Sequence, residues 1–102
     1  MDLMPPTALV VTGRITRAGV PGLCARLEAI LAATDATVVD CDVGGIEHPD
    51  LTSVEAVARL SLVARRAGGR RLRLVGAPPA LRLLLDLVGI EDVVGLVGED
   101  GS

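Results

Sequence analysis

The sequence contains no phenylalanine, tyrosine or tryptophan, and this absence limits both its core and its ligands. Half of the 102 residues are hydrophobic, so the chain can build a core, and that core must be aliphatic. Modules that hold single-stranded nucleic acid stack bases on aromatic rings. The composition therefore argues against such a module, and no nucleic-acid partner is expected.

Basic charge, cysteine and histidine are also scarce. The formal net charge of -3 gives no basic surface for DNA or anionic membranes. The two cysteines, Cys24 and Cys41, fall in predicted core positions, which indicates buried, reduced thiols in a cytoplasmic protein. The single histidine, His48, is expected to be an exposed loop residue. With so few ligands, no metal or other cofactor is expected.

Long apolar runs are missing as well. The N-terminus has no basic region followed by an apolar run, so no signal peptide is expected. No apolar stretch reaches the ~20 residues of a membrane span, so no membrane insertion is expected. The length fits one domain. We place it at residues 8–97, between loose tails at 1–7 and 98–102.

Strand-like and helix-like patterns alternate along the chain. Strands are predicted at 8–12, 37–41, 71–75 and 93–97, with 14–16 extending or pairing with the first, and helices at 21–33, 51–67 and from the Pro78–Pro79 pair to Val88. Segment 37–41 is apolar on both faces, as in a central strand covered by helices on both sides. This order predicts an α/β domain with a mostly parallel sheet.

The first two helices each show an apolar face at helical spacing. The predicted core positions are Leu23, Leu27, Ile30 and Leu31 in the first helix, and Val54, Val57, Leu60 or Ser61, and Ala64 in the second. Glu55 and Arg59 have the spacing of an ion pair on the surface of the second helix. Both helices are therefore expected to pack on the sheet with one face.

Two hydroxyls, Thr52 and Ser53, stand at the predicted start of the second helix. In one interpretation Thr52 is the N-cap of a capping box and Glu55 reaches back to it. In the other, Thr52 or Ser53 accepts a phosphate at the positive end of the helix. Asp50 either orients the accepting hydroxyl or holds the loop as an Asx turn.

Three segments carry a resemblance to a known family. They are VVDCD at 38–42 with Asp50 and the hydroxyl pair after it, ARRAGGRRLRLV at 64–75, and PPALRLLLDLVGI at 78–90. In their order and spacing, over about residues 8–94, the chain resembles the STAS domain of bacterial anti-sigma-factor antagonists and of the cytoplasmic part of sulfate transporters. The resemblance implies a STAS-like α/β fold, with a mostly parallel or mixed sheet of four to five strands and helices packed on it.

The resemblance also implies a function. The family's switch loop ends Asp-Ser-Ser-Gly, and here Asp50-Leu51-Thr52-Ser53 matches it, with Thr52 in the place of the phosphorylated serine. Leu51 and Ser53 depart from the pattern. The implied protein is a non-enzymatic switch that binds an anti-sigma factor, itself a serine kinase of the histidine-kinase-like ATPase type. Binding frees a sigma factor, and phosphorylation on the loop reverses it.

Two other functions fit the same resemblance. Small STAS proteins also resemble accessory subunits of lipid-transport ATPases, which need no phosphorylation, and the altered loop fits that alternative. Some STAS domains bind a nucleotide or small ligand, although the chain has no Gly-rich phosphate loop.

We expect the partner surface to be the loop and the outer face of the second helix, namely Asp50, Thr52, Ser53, Glu55, Arg59 and Leu62. Leu83 and Leu87 on the third helix form either a contact patch or part of a wide core face. The oligomeric state is left open between monomer and homodimer.

Overall fold

The computed structural model describes residues 8–89 and 95–97. Strands and helices alternate along this part of the chain. The strands are β1 (Ala8–Gly13), β2 (Val38–Ile46), β3 (Arg71–Val75) and β4 (Gly95–Val97), and the helices are α1 (Val20–Ala33), α2 (Leu51–Arg66) and α3 (Pro79–Val88). The two predicted tails and residues 93–94 of the predicted last strand lie outside the described residues.

The strands form a sheet in the order β1-β2-β3-β4, and each neighbouring pair is parallel. The predicted α/β class with parallel strands is therefore confirmed. Residues 14–16 neither extend β1 nor pair with it. They lead into a short 3₁₀ helix at Arg17–Gly19, where the Thr16 side chain accepts a hydrogen bond from the Gly19 backbone N–H.

The helices lie on one face of the sheet, not on both. Alternate strand residues enter a single core with all three helices: Leu9, Val11, Val39, Cys41, Val43, Leu72 and Leu74. On the opposite face Val10 and Val38 are exposed, and Asp40 forms an ion pair with Arg73. The prediction of a two-sided cover over segment 37–41 was thus wrong. In chain order, each new strand pairs at the same edge of the sheet as the one before it. Because the connections are right-handed crossovers, all three helices then lie on one face.

The predicted core faces of the helices are observed. In α1, Leu27 and Leu31 are buried, while Leu23 and Ile30 are partly buried against the core. In α2 the whole predicted set is buried, including both Leu60 and Ser61. Within the described residues, no helix has the length and apolar character needed to cross a membrane.

Candidate partner-binding site

The loop from β2 to α2 fixes where the second helix begins. β2 runs through the Gly44–Gly45 pair to Ile46, longer than predicted, and the next backbone N–H, of Glu47, donates to the Gly13 carbonyl at 2.9 Å. His48 then adopts a left-handed conformation, with φ of 52°, and is exposed as expected. This turn delivers Asp50 to the first turn of α2.

Asp50, not Thr52, is the N-cap of α2. Its Oδ1 accepts the Ser53 backbone N–H at 3.1 Å, and Ser53 Oγ accepts the Asp50 backbone N–H at 3.2 Å. This reciprocal arrangement is a capping box with Asp50 as the first residue and Ser53 in the position three residues on. The predicted box of Thr52 and Glu55 was therefore wrong, because the helix begins at Leu51.

The structure separates the two candidate phosphoacceptors. Ser53 is only 1% exposed, and its hydroxyl also donates to Asp50 Oδ1 at 3.3 Å. A phosphate on Ser53 would need the first turn of the helix to open. Thr52 is half-buried, and among the described residues its hydroxyl has no hydrogen-bond partner. Thr52 is therefore the accessible hydroxyl of the pair.

Glu55 pairs with a different residue from the one predicted. Its Oε1 lies 3.8 Å from Nε of Arg17, in the 3₁₀ helix before α1. The expected partner, Arg59, lies near α1 instead, where its charge acts on the Cys24 thiol. Both Arg17 and Glu55 are largely exposed, so their attraction is weakened by water and salt.

An open groove of about 700 Å³ lies between the start of α1 and the outer face of α2. Three of the six predicted partner-binding residues line it: Glu55, Arg59 and Leu62. The other lining residues are Arg17, Val20, Pro21 and Ala58. Arg17, Val20 and Pro21 were not predicted from the sequence, although an apolar Val-Pro pair at the start of a helix was a usable signal.

Neither thiol is set up as a nucleophile. Burial raises the pKa of the Cys24 thiol, and the charge of Arg59 offsets only part of that effect. Burial and the adjacent Asp42 raise the pKa of Cys41 to about 12. Since the thiolate is the reactive form, the raised pKa makes both thiols poorer nucleophiles at neutral pH than an ordinary cysteine.

Several polar side chains outside the groove form hydrogen bonds within their own chain. Nε of Arg73 donates to Asp40 Oδ1 at 2.7 Å, and Arg70 donates to the Leu31 carbonyl at 2.7 Å. Asp42 Oδ1 accepts the Gly44 backbone N–H at 3.0 Å. The arginines that follow α2 are thus partly structural rather than one free basic patch.

Leu83 and Leu87 do not join the groove. Both are exposed on α3, at 59% and 73%, so they are not part of a wide core face. Leu62 on α2, predicted as part of the partner surface, is 48% exposed and lines the groove. Leu62 therefore belongs to a different surface from Leu83 and Leu87.

One comparison with known proteins identifies the family. The family model described as "Mlab, STAS domain" matches residues 5–98, which is nearly the whole chain. The protein therefore belongs to the STAS domain family, as the three segments and the parallel α/β fold indicate. No curated protein matches the chain.

Proposed function

We propose that this protein is a non-enzymatic switch that binds an anti-sigma factor kinase through the α1–α2 groove and the first turn of α2. One observation carries the proposal. The groove lies on the same exposed face of α2 as Glu55, one turn along from the accessible hydroxyl of Thr52. A partner seated there would sense a change of charge at Thr52.

The groove has the character of a surface for an acidic, partly apolar segment. Pro21 and Leu62 supply exposed apolar contact area, and the cations Arg17 and Arg59 line the same groove. An acidic side chain of the partner would compete with Glu55 for Arg17, whose existing contact is long and exposed. Such complementarity favours orientation and rate of association over raw affinity.

The switch would act through the charge at the start of α2. A phosphate on Thr52 would meet the unpaired backbone N–H groups and the positive end of the helix dipole, which stabilise it. It would also add about -1.5 to -2 charges beside Glu55, and that charge would repel an acidic partner. The ATP and Mg²⁺ for the transfer would belong to the kinase.

A second candidate function has its own support. In it, the protein is a constitutive accessory subunit of a lipid-transport ATPase and carries no phosphate. The support is the closed capping box, in which Ser53 is buried and bonded to Asp50. In this alternative the groove still binds the partner, while Thr52 is never modified.

Affinity purification of the tagged chain from its own cells, with mass spectrometry of both bait and prey, separates the two. A kinase as prey together with phosphate on Thr52 is the result expected for the switch. A transporter complex with an unmodified loop would replace it by the second function.

Variants then locate the surface on the recovered partner. Leu62→Glu and Arg59→Glu should each weaken binding by about tenfold or more, since they remove apolar area or reverse a charge in the groove. Val38→Glu, at a similarly exposed residue on the open face of the sheet, is the matched control. Thr52→Asp should weaken binding in the switch; unchanged affinity would rule the switch out.

A further inference from the structure

Helix α3 presents apolar side chains in two directions. Leu81 and Leu85 are fully buried in the core. Leu83 and Leu87 are exposed, and Ala80 is exposed on the same side. The spacing of these last three residues by three and four positions places them in one line along the helix. We name Ala80, Leu83 and Leu87 the α3 stripe.

The α3 stripe lies apart from the partner groove. Both α1 and α3 pack against α2. The strand order β1-β2-β3-β4 puts α1 and α3 on opposite sides of it, because α1 connects β1 to β2 and α3 connects β3 to β4. The groove is on the α1 side. The groove and the stripe are therefore two separate surfaces of the molecule.

We propose that the α3 stripe is the contact surface of a homodimer, in which α3 of a second copy packs antiparallel across it. Opposite charges on the border of the stripe favour a second copy of the chain as its partner. Arg82 and Asp86 stand one turn apart along the border of the stripe, with opposite signs. In an antiparallel pair about a two-fold axis, Arg82 of each copy faces Asp86 of the other. The surface is thus complementary to itself.

The size of the stripe predicts a weak, reversible dimer. α3 has 10 residues, which corresponds to a length of about 15 Å at the usual helical rise. Two exposed leucines in each copy give an apolar centre, but the contact is smaller than that of permanent complexes. We therefore expect association to depend on concentration in the range of micromolar to millimolar protein.

Analytical ultracentrifugation of the full chain tests the dimer, with interference optics because the chain has no aromatic absorbance. The mass should rise from monomer to dimer as the concentration approaches about 1 mM. Leu83→Gln and Leu87→Gln should each weaken association by about tenfold or more. Leu62→Gln, an equally drastic change in the groove, should leave it unchanged. A monomer at every concentration overturns the proposal.

Exchange of charges tests the antiparallel geometry. Arg82→Glu and Asp86→Arg should each weaken self-association, because like charges then meet across the two-fold axis. Arg82→Glu leaves two acidic groups on the border, and Asp86→Arg leaves two basic groups. A one-to-one mixture of the two variants should therefore associate again, because the acidic border of one faces the basic border of the other. Arg82 also has an interaction within its own chain, so circular dichroism must first show that each variant is folded. Folded variants that stay monomeric when mixed overturn the antiparallel pairing.

Discussion

The capping box at the start of α2 allows a sharp test of how this helix begins. Asp50 holds the Ser53 backbone N–H at 3.1 Å and its hydroxyl at 3.3 Å, and Ser53 is 1% exposed. The substitution Asp50→Ala removes the acceptor for both groups. The predicted result is a destabilised protein whose core is otherwise unchanged.

The magnitude follows from two contributions. Loss of an N-cap side chain costs about 1 kcal/mol. A buried donor left without a partner costs about 1 kcal/mol or more in addition. We therefore expect Asp50→Ala to lower the free energy of unfolding by about 2 kcal/mol, which corresponds to a fall of roughly 10 °C in Tm for a domain of this size. Asp50→Asn, which keeps an acceptor, should cost much less.

Urea unfolding followed by far-UV circular dichroism measures this, because no aromatic residue provides a fluorescence signal. Ser53→Ala and the double variant complete a double-mutant cycle. The double variant should lose about 1 kcal/mol less unfolding free energy than the sum of the losses of the two single variants. Thr52→Ala should stay within about 0.5 kcal/mol of the parent. If Thr52→Ala were costly and Asp50→Ala neutral, Thr52 would be the cap and the reasoning would fail.

Five further outcomes are expected. Gly22→Ala should raise the free energy of unfolding by about 0.5–1 kcal/mol, because the residue is helical and its added methyl meets no atom within 4 Å. Gly45→Ala should lower the free energy of unfolding, because its methyl would lie 2.8 Å from the Thr12 side chain on β1. Iodoacetamide should alkylate half-buried Cys24 before Cys41 in the native protein, as peptide mass spectrometry can show, and equal rates would contradict the burial of Cys41. The pKa of Cys41 is raised from 9.0 to about 12 in the folded protein, so its neutral thiol contributes fully to stability below pH 9 and loses that contribution as the pH rises towards 12. In urea unfolding at increasing alkaline pH, the parent should therefore lose stability faster than Cys41→Ala. Leu85→Ala should cost about 2–5 kcal/mol in urea, since the side chain is fully buried; a loss below about 1 kcal/mol would show that α3 is not anchored by it.

Local patterns were enough to predict most of the fold. The apolar spacing along α2 identified its buried face, and alternation along β3 identified a strand whose leucines enter the core. The predicted strand ended at residue 41, short of Ile46, because a Gly44–Gly45 pair is typical of a loop. They continue the strand through an irregularity in its pairing with β1, and Gly45 gives the room for the close approach of Thr12. The extension of β2 is evident from its pairing with β1 and not from its own sequence.

The candidate site was less predictable because it depends on contacts between distant segments. Glu55 fitted an ion pair with Arg59 in its own helix, yet the fold brings Arg17 to it from before α1. Likewise Asp50 and Thr52 both had the chemistry of an N-cap, and only the backbone geometry, extended at Asp50, decides between them. Three of the seven groove residues were predicted from the sequence. Of the other four, Ala58 lies on α2 itself, while Arg17, Val20 and Pro21 come from segments that sequence spacing did not connect to α2.

The order of the strands also bears on how the chain acquires its structure. Each strand pairs only with those before and after it along the chain, and the paired residues of β1–β2 and β2–β3 are separated by roughly thirty residues of sequence. No pairing has to wait for a distant terminus. During synthesis, β1, α1 and β2 can close their shared part of the core before β3 has left the ribosome, and later units are added at one growing edge. The groove, built entirely from the segments up to α2, would thus be in place before α3 is.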